Sequence, residues 1–479
     1  MRYSRASYAA FIGVLLFAPL SVHAATIAVT VDFASPTGAT ATPFAYGLNA
    51  FQAFDQKIAG SPGSADYKAN VDAMDAGILR IANAGEMDDS SADPYYGWLK
   101  NADVHMCDLS NVQWDTAKIA KAVQGSYSYG PVRMVDIENW PACAANASGR
   151  LRTSQYAAYV ALCADLVKIL NVDDKLGVKY FEVFNELDTS GYDGQMATVA
   201  KIYNQAAVAM KAVDPTIMVG GPAFTVEDAS SPNMDDFFKV AAAHLDFVTY
   251  HSYADCDDAK GETTPTFEVY NAASYAGATA YQTVKTEFAK YSAKPTPFFL
   301  DEFNINGCVY GNNQVFPDPR MYHAPGAVFD ALTMINAIDA GVAGTMAWNE
   351  ADQNYGKLNA NRAFTRRPSS YLYQLLNALM RGPVYETNPG PQAHTVVPLA
   401  VKSGEAFVIE LVNRSSSANS VALTVSGLSN LNSATQFTVN QISSAGWTTP
   451  ANATYGALSA GYTLPSDSVT FLSVPLSTQ

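Results

Sequence analysis

An α/β fold, a (β/α)8 TIM barrel carrying an accessory C-terminal β-sandwich, is predicted by three observations on the 479-residue chain. Eight short apolar runs alternate with amphipathic helical patterns, as in a parallel sheet buried on both faces, and eight such units argue for closure into a barrel. The stretch around the first run, YGLNAFQAF, is not the glycine-rich phosphate loop of an open doubly wound sheet. From about Pro383 helical periodicity stops, and short alternating runs rich in Ser, Thr, Asn and Val take over.

The elements follow in order. Residues 1–24 combine Arg2 and Arg5, an apolar stretch from Ala9 to Leu20 and small residues Val22 and Ala24. That pattern is a secretory signal peptide, its apolar run too short to span a bilayer, so a secreted or periplasmic location is expected. Residues 25–40 hold an alternating strand, Thr26 to Phe33, expected to join the C-terminal sandwich. The barrel is assigned to 41–382. Its strands are expected at Phe44–Asn49, Ile78–Ile81, Val132–Ile137, Tyr180–Phe184, Ile217–Gly220, Phe247–Tyr250, Phe298–Leu300 and Gly344–Trp348. Helical patterns fall at Ala65–Ala76, Asn111–Val123, Thr153–Leu170, Met196–Val213, Met234–His244, Ser274–Ser292, Ala327–Ala340 and Ser369–Met380. The sandwich, 383–479, contains AFVIELVN, SVALTVSGL, TQFTVNQI and SVTFLSVPL.

Charge and cysteines narrow the partners. Removing the signal segment, which carries Arg2 and Arg5 and no acidic residue, takes the formal charge from −15 to −17. So acidic a chain repels nucleic acid and anionic membrane surfaces; neutral or weakly charged partners suit it better, and a monomer is expected. Five cysteines in an exported chain suggest two disulfides and one free thiol. Cys163 shares a helical stripe with Tyr159, Leu166, Val167 and Leu170 and is expected to stay free in the core. Of the three pairings left, Cys107 with Cys143 and Cys256 with Cys308 is expected, because each pair would join loops that follow neighbouring strands. No CxxC spacing exists and the six histidines are scattered, so neither a metal nor another cofactor is expected. The acidic run Asp255–Glu262 is a solvated loop or a calcium candidate.

Two apolar strands end in carboxylates, at Asn185-Glu186 and at Asp301-Glu302. Two carboxyl groups in one cleft cost desolvation and mutual repulsion, and such shifted groups cluster where chemistry uses them. Retaining glycosidases set them roughly 5 to 5.5 Å apart, one as nucleophile and one as acid then base; inverting enzymes need roughly 6.5 to 9.5 Å. The alternative is that each glutamate is a surface residue or a member of a buried salt bridge.

The ordered set Asn185-Glu186, Gly220-Gly221-Pro222, His251-Ser252-Tyr253, Glu302 and Trp348 resembles clan A glycoside hydrolases, most of all family 39, the β-xylosidase type, from about Tyr46 to Trp348. The resemblance implies Glu186 as the general acid/base and Glu302 as the nucleophile. It implies substrate contacts from Asn185, Trp348 and the donors His251 and Tyr253. Arg80, ending the second strand, is the expected cation for an ionised nucleophile; its alternative is a buried ion pair with Glu182 or Asp136. Trp140, with Trp98, is expected to line further subsites. Glu138 and Glu350 also follow strand ends but complete no ordered match. The chain departs from the family pattern in having Phe184 and Leu187 flank Asn-Glu, and in Leu-Asp-Glu-Phe where Thr-Glu-Trp is common. The implied function is a retaining β-glycoside hydrolase. A β-xyloside is the first substrate expectation, with internal cleavage of a bacterial exopolysaccharide, or a non-catalytic carbohydrate binder, as alternatives.

Overall fold

The computed structural model describes residues 26–478, apart from 51–63, 83–97, 101–106, 118, 120–122, 124–131, 139, 190, 226–231, 256–263, 308, 311–313, 316–317, 353 and 361–362. The signal segment, Cys256, Cys308 and nearly all of the acidic run after Asp255 lie outside the described residues.

All eight expected strands form one closed parallel barrel in chain order: Gly47–Asn49, Ile78–Ile81, Val132–Asp136, Tyr180–Glu182, Met218–Thr225, Phe247–Asp255, Phe298–Asn306 and Gly344–Ala347. Closure is through Met346 paired with Gly47. Phe44–Tyr46 is a 3-10 turn rather than strand, opened by Pro43 and by the Thr42 hydroxyl accepting from the Phe44 N–H. The sixth and seventh strands run beyond the others, paired as far as Asn306 with Asp255, and so rise over the barrel mouth.

The two-residue period of a strand divides the interior into layers. Ile78, Met134, Phe247, Phe299 and Met346 form an apolar plug, with Phe44, Tyr180 and Met218 packed against it. Two residues further along the same strands stand Arg80, Asp136, Glu182, Thr249 and Asp301, all buried. Intervening residues such as Leu79, Val135, Phe181, Val219, Val248 and Leu300 face outward into the helix layer. The floor of the barrel is therefore dry, and the charged layer rests directly on it.

The C-terminal sandwich is a single nine-stranded sheet curled on itself. Its order is Gly446–Thr454, Gln436–Ser443, Ser468–Pro475, Ala406–Asn413, Val396–Ser403, Gly382–Asn388, Ile27–Ala41, Asn419–Ser426 and Tyr462–Leu464. Val29, Val31 and Phe33 share a cluster with Phe437 and Val439, which lie five strands away in that order, so the sheet must curl. The opposite face, with Val408, Val412, Val469 and Phe471, joins the barrel's core. The helix Ala324–Ala340 lies between barrel and sheet and is accordingly buried almost all round. The N-terminal strand enters this sheet as expected, pairing antiparallel with Gly382–Asn388 and parallel with Asn419–Ser426.

Cys107 and Cys143 form a disulfide, and Cys163 is a buried free thiol.

Candidate active site

Arg80 stands at the centre of the charged layer, fully buried, and reaches four carboxylates. Its Nη1 donates to Glu302 Oε1 at 2.7 Å and its Nη2 to Asp136 Oδ2 at 3.0 Å. Its Nε lies 2.5 Å from Glu182 Oε2 and 3.1 Å from Asp301 Oδ2. The two readings of Arg80 are thus not exclusive, since one guanidinium holds the structural carboxylates and the candidate nucleophile together. Nη1 and Nη2 also bind the amide oxygens of Asn49 and Asn185, at 3.1 and 2.8 Å. Asn49 in turn donates to the Asp301 carbonyl at 2.7 Å, tying the first strand to the seventh.

Consecutive residues of a regular strand point to opposite faces, yet both Asp301 and Glu302 meet Arg80. The pairing between the sixth and seventh strands slips here, from Leu300 with Tyr250 to Glu302 with His251. Asp301 continues the inward register of Phe299, and a bulge of this kind re-aims a side chain, turning Glu302 inward as well. At the end of the fourth strand the backbone is also irregular: Phe184 and Glu186 have φ of 79° and 52°. Left-handed backbone at non-glycine residues costs on the order of 1–3 kcal/mol each and gathers at functional sites. It is held here by Val183 N–H to the Gly220 carbonyl at 3.0 Å and Glu186 N–H to the Ala223 carbonyl at 3.1 Å. Gly221, at φ 131°, is required in that junction, since a Cβ there would lie 2.6 Å from the Val183 carbonyl oxygen.

His251 joins the two glutamates. Its Nδ1 lies 2.7 Å from Glu186 Oε1 and 3.6 Å from Glu302 Oε2, and its Nε2 lies 3.6 Å from Asp301 Oδ2. Tyr253 donates its hydroxyl to Glu302 Oε2 at 2.6 Å. One carboxylate oxygen each of Glu186 and Glu302 and a ring nitrogen of His251 all lie within 4.8 Å of one another. This trio does not suit a cation, because Arg80 already places a positive charge 2.7 Å from Glu302. Glu302 is 7% exposed, whereas the Glu186 side chain is 36% exposed, facing the mouth.

The charges are uneven. Burial works against a charged Arg80, but Glu182, Asp136, Asp301 and Glu302 outweigh it and hold its pKa well above the ordinary value. Burial likewise opposes a charged His251, and Glu302 and Asp301 prevail, raising it well above the usual histidine value. Burial pushes Asp136 up to about 7 and Glu182 well above the carboxylate range, both opposed by Arg80. Asp301 is held low despite its burial, by His251 and Arg80. Within the layer, burial thus favours the neutral form of Glu182, while His251 and Arg80 favour the ionised form of Asp301.

Trp348 is half-buried at the end of the eighth strand, its N–H on the Phe303 carbonyl at 3.1 Å, with Asn304 donating to its carbonyl. Trp140 sits differently from expectation. It is 7% exposed, packs edge-on to Phe184, Tyr159 and Tyr192, and donates to the Gly149 carbonyl at 3.2 Å. It supports the turned Phe184 from behind rather than lining the cleft, and Trp98 is likewise buried. Glu350 is fully buried and accepts from the Tyr67 hydroxyl at 3.1 Å, while the Glu138 N–H bonds Asp136. Sequence reading missed Asn49 and the bulge that lets Asp301 and Glu302 both face inward; the asparagine's only signal is its place at a strand end, level with Arg80.

Comparison with known proteins places the chain beside glycoside hydrolases. The model of "Glycosyl hydrolases family 39" matches residues 162–350. A β-xylosidase of Caldicellulosiruptor saccharolyticus is 28% identical over 252 residues, 49% of this chain and 48% of that enzyme, so the chain spans about half the length of the curated relative it matches. Among solved structures, a monomeric β-xylosidase from Caulobacter crescentus CB15 superposes with a TM-score of 0.65 at 15% identity, covering 94% of this chain and 99% of that one. A GH39 enzyme from Xanthomonas axonopodis pv. citri gives 0.65 at 16%, covering 96% and 99%. These likenesses show a shared fold. Residues 162–350 are thus similar to that family, and the barrel with its C-terminal sheet is a fold that the chain shares with these enzymes.

Proposed function

We propose that this chain is an exported retaining β-glycoside hydrolase that uses Glu302 as nucleophile and Glu186 as acid/base, with a β-xyloside as substrate. The observation that carries the reading is the pair of carboxylates brought within 4.8 Å in two unlike settings. That separation suits a covalent mechanism and leaves no room for the water an inverting enzyme places between its carboxyls. Glu302, gripped by Arg80 at 2.7 Å and by the Tyr253 hydroxyl at 2.6 Å, is positioned as an ionised nucleophile. Glu186, exposed towards the mouth and bonded to His251, is positioned to meet the leaving oxygen.

In the first step Glu302 attacks the anomeric carbon, the glycosidic bond breaks, and the leaving oxygen takes the proton held at Glu186. In the second, Glu186 takes a proton from water as that water attacks the glycosyl ester, and Glu302 leaves as carboxylate. Asn185, oriented by Arg80 through its amide oxygen, is assigned to the sugar hydroxyl beside the reacting carbon, where contacts strengthen as positive charge develops. Trp348 is assigned to the apolar face of the sugar ring. The xyloside assignment is supported by the kinship with the Caldicellulosiruptor β-xylosidase, and export by the leader at residues 1–24.

The test is reducing-sugar release from xylans, glucans, mannans, galactans and bacterial exopolysaccharides, and from aryl β-xylosides. The Glu302→Gln protein is run in parallel with its folding checked by circular dichroism. Xyloside cleavage abolished by the substitution is the expected result. Undiminished turnover by a folded Glu302→Gln protein removes Glu302 from the mechanism, and binding without cleavage of any glycan favours a non-catalytic binder.

A further inference from the structure

The residue before the candidate nucleophile holds a carboxylate where the family resemblance carries threonine. Two residues beyond Phe299 of the apolar plug, Asp301 points into the barrel beside His251. His251 Nε2 is buried with no hydrogen-bond partner among the described residues, and the carboxylate facing it is Asp301 Oδ2 at 3.6 Å. On the other side of the ring, Nδ1 lies 2.7 Å from Glu186 Oε1. We propose that Asp301 is a positioning residue: with His251 and Glu186 it forms a carboxylate–imidazole–carboxylate line that keeps the acid/base proton bound between His251 Nδ1 and Glu186 Oε1. This rests on the reading of Glu186 as the acid/base.

The proton count balances across both steps. Before the first, the ring carries its Nε2 proton, and a second proton lies between Nδ1 and Oε1. That second proton goes to the leaving oxygen as the glycosidic bond breaks, leaving a neutral imidazole beside the Glu186 carboxylate. The proton from attacking water restores it in the second step. Asp301 takes no proton in either step; its negative charge favours the doubly protonated ring and so raises the pH at which the proton is lost. The surroundings explain why Asp301 can stay ionised. Arg80 of the second strand lies 3.1 Å from its Oδ2.

The other charged or titratable groups around the ring are accounted for. Glu302 of the seventh strand lies 3.6 Å from Nδ1, Asp136 of the third is tied to Arg80, and Tyr253 of the sixth is tied to Glu302. The fifth strand offers only Thr225 opposite His251, and that threonine is bonded to Asp188. The charge facing Nε2 is therefore that of Asp301.

The experiment is a ¹⁵N titration of the histidine ring nitrogens in the full chain, with His251 identified by its loss in His251→Gln. Wild type is run beside Asp301→Asn and Asp301→Thr, each checked for cooperative unfolding. In wild type the His251 ring should remain doubly protonated through neutral pH. In both variants its midpoint should fall by about one pH unit or more, a tenfold loss in proton affinity. The alkaline limb of kcat/KM on xylobiose should fall with it. A merely structural Asp301 would lower the rate evenly across pH and leave the ring's midpoint in place, and that result overturns the proposal. So does a neutral His251 ring in wild type at neutral pH, which decides the matter alone if neither variant folds. A shifted midpoint in a protein that hydrolyses no glycoside would refute the proposed function and leave the Asp301–His251 linkage standing.

Discussion

Replacing Arg80 with methionine tests the charged layer most directly. The guanidinium is fully buried and lies within 3.1 Å of Asp136, Glu182, Asp301 and Glu302. At an effective dielectric constant of about 20, a charge pair at the Glu302 distance is worth about 6 kcal/mol before desolvation is subtracted. Removing one partner of a buried pair costs about 3–5 kcal/mol net. Methionine keeps the volume but leaves His251 as the cation facing four carboxyl groups. Those groups would then carry folded-state pKa values above their unfolded ones. The sign follows: they are protonated at low pH, where the substitution costs least, and the penalty grows as pH rises and the folded state resists ionising them. Urea denaturation of wild type and Arg80→Met should differ by about 3–5 kcal/mol near pH 8 and by clearly less near pH 5. Equal stability near pH 8, or a larger loss near pH 5, would refute the idea that Arg80 neutralises this layer.

Two further outcomes are expected. Glu186→Ala should slow cleavage of xylobiose by about 10²–10⁴-fold and cleavage of an aryl xyloside with an acidic phenol much less, because only the first leaving group needs a proton; equal losses on both would argue against the acid role. Glu410, fully buried between sheet and barrel with no hydrogen-bond partner on its carboxyl oxygens among the described residues, is pushed up to about 8 by burial. It stays protonated in the fold at neutral pH while the unfolded chain ionises it. That difference costs about 3 kcal/mol near pH 7 and vanishes below the unfolded value, so Glu410→Met should raise stability near pH 7 and do little near pH 4, checked by urea denaturation at both.

The barrel strands could be read from sequence because each is buried on both faces and so stands out as a short apolar run between turn signals. The same argument finds Ala406–Asn413, whose two faces meet the sheet's own core and the barrel. It misses Gly382–Asn388, whose burial is broken by Pro383, Glu386 and other partly exposed positions. The helix at Thr266–Ser274 lies wholly before the expected Ser274 start save for that residue; it continues through a π-helical turn at Tyr275–Thr279 into Ala280–Ala289, which shifts the periodicity a pattern search relies on. At the site, strand ends marked Arg80, Glu186, His251, Tyr253 and Glu302, since polar residues closing apolar runs are visible as such. That Asp301 and Glu302 both face inward could not be read, because alternation from Phe299 sends Asp301 in and Glu302 out, and only the bulge brings Glu302 in. Trp140 was misplaced for a related reason: a loop tryptophan looks the same in sequence whether it faces a sugar or props the backbone of Phe184.

The strand Ile27–Ala41 has a consequence for how the molecule is made. It precedes the whole barrel, yet both its neighbours, Gly382–Asn388 and Asn419–Ser426, follow it. During synthesis that strand must wait, its backbone donors and acceptors unsatisfied by partners, until more than three hundred further residues have emerged. The sheet is thus completed only when its first strand meets partners from the far side of the barrel in the chain. A cut between barrel and sheet would strand the first segment without a partner, so the two parts are expected to be gained or lost as one cooperative unit rather than as separable modules.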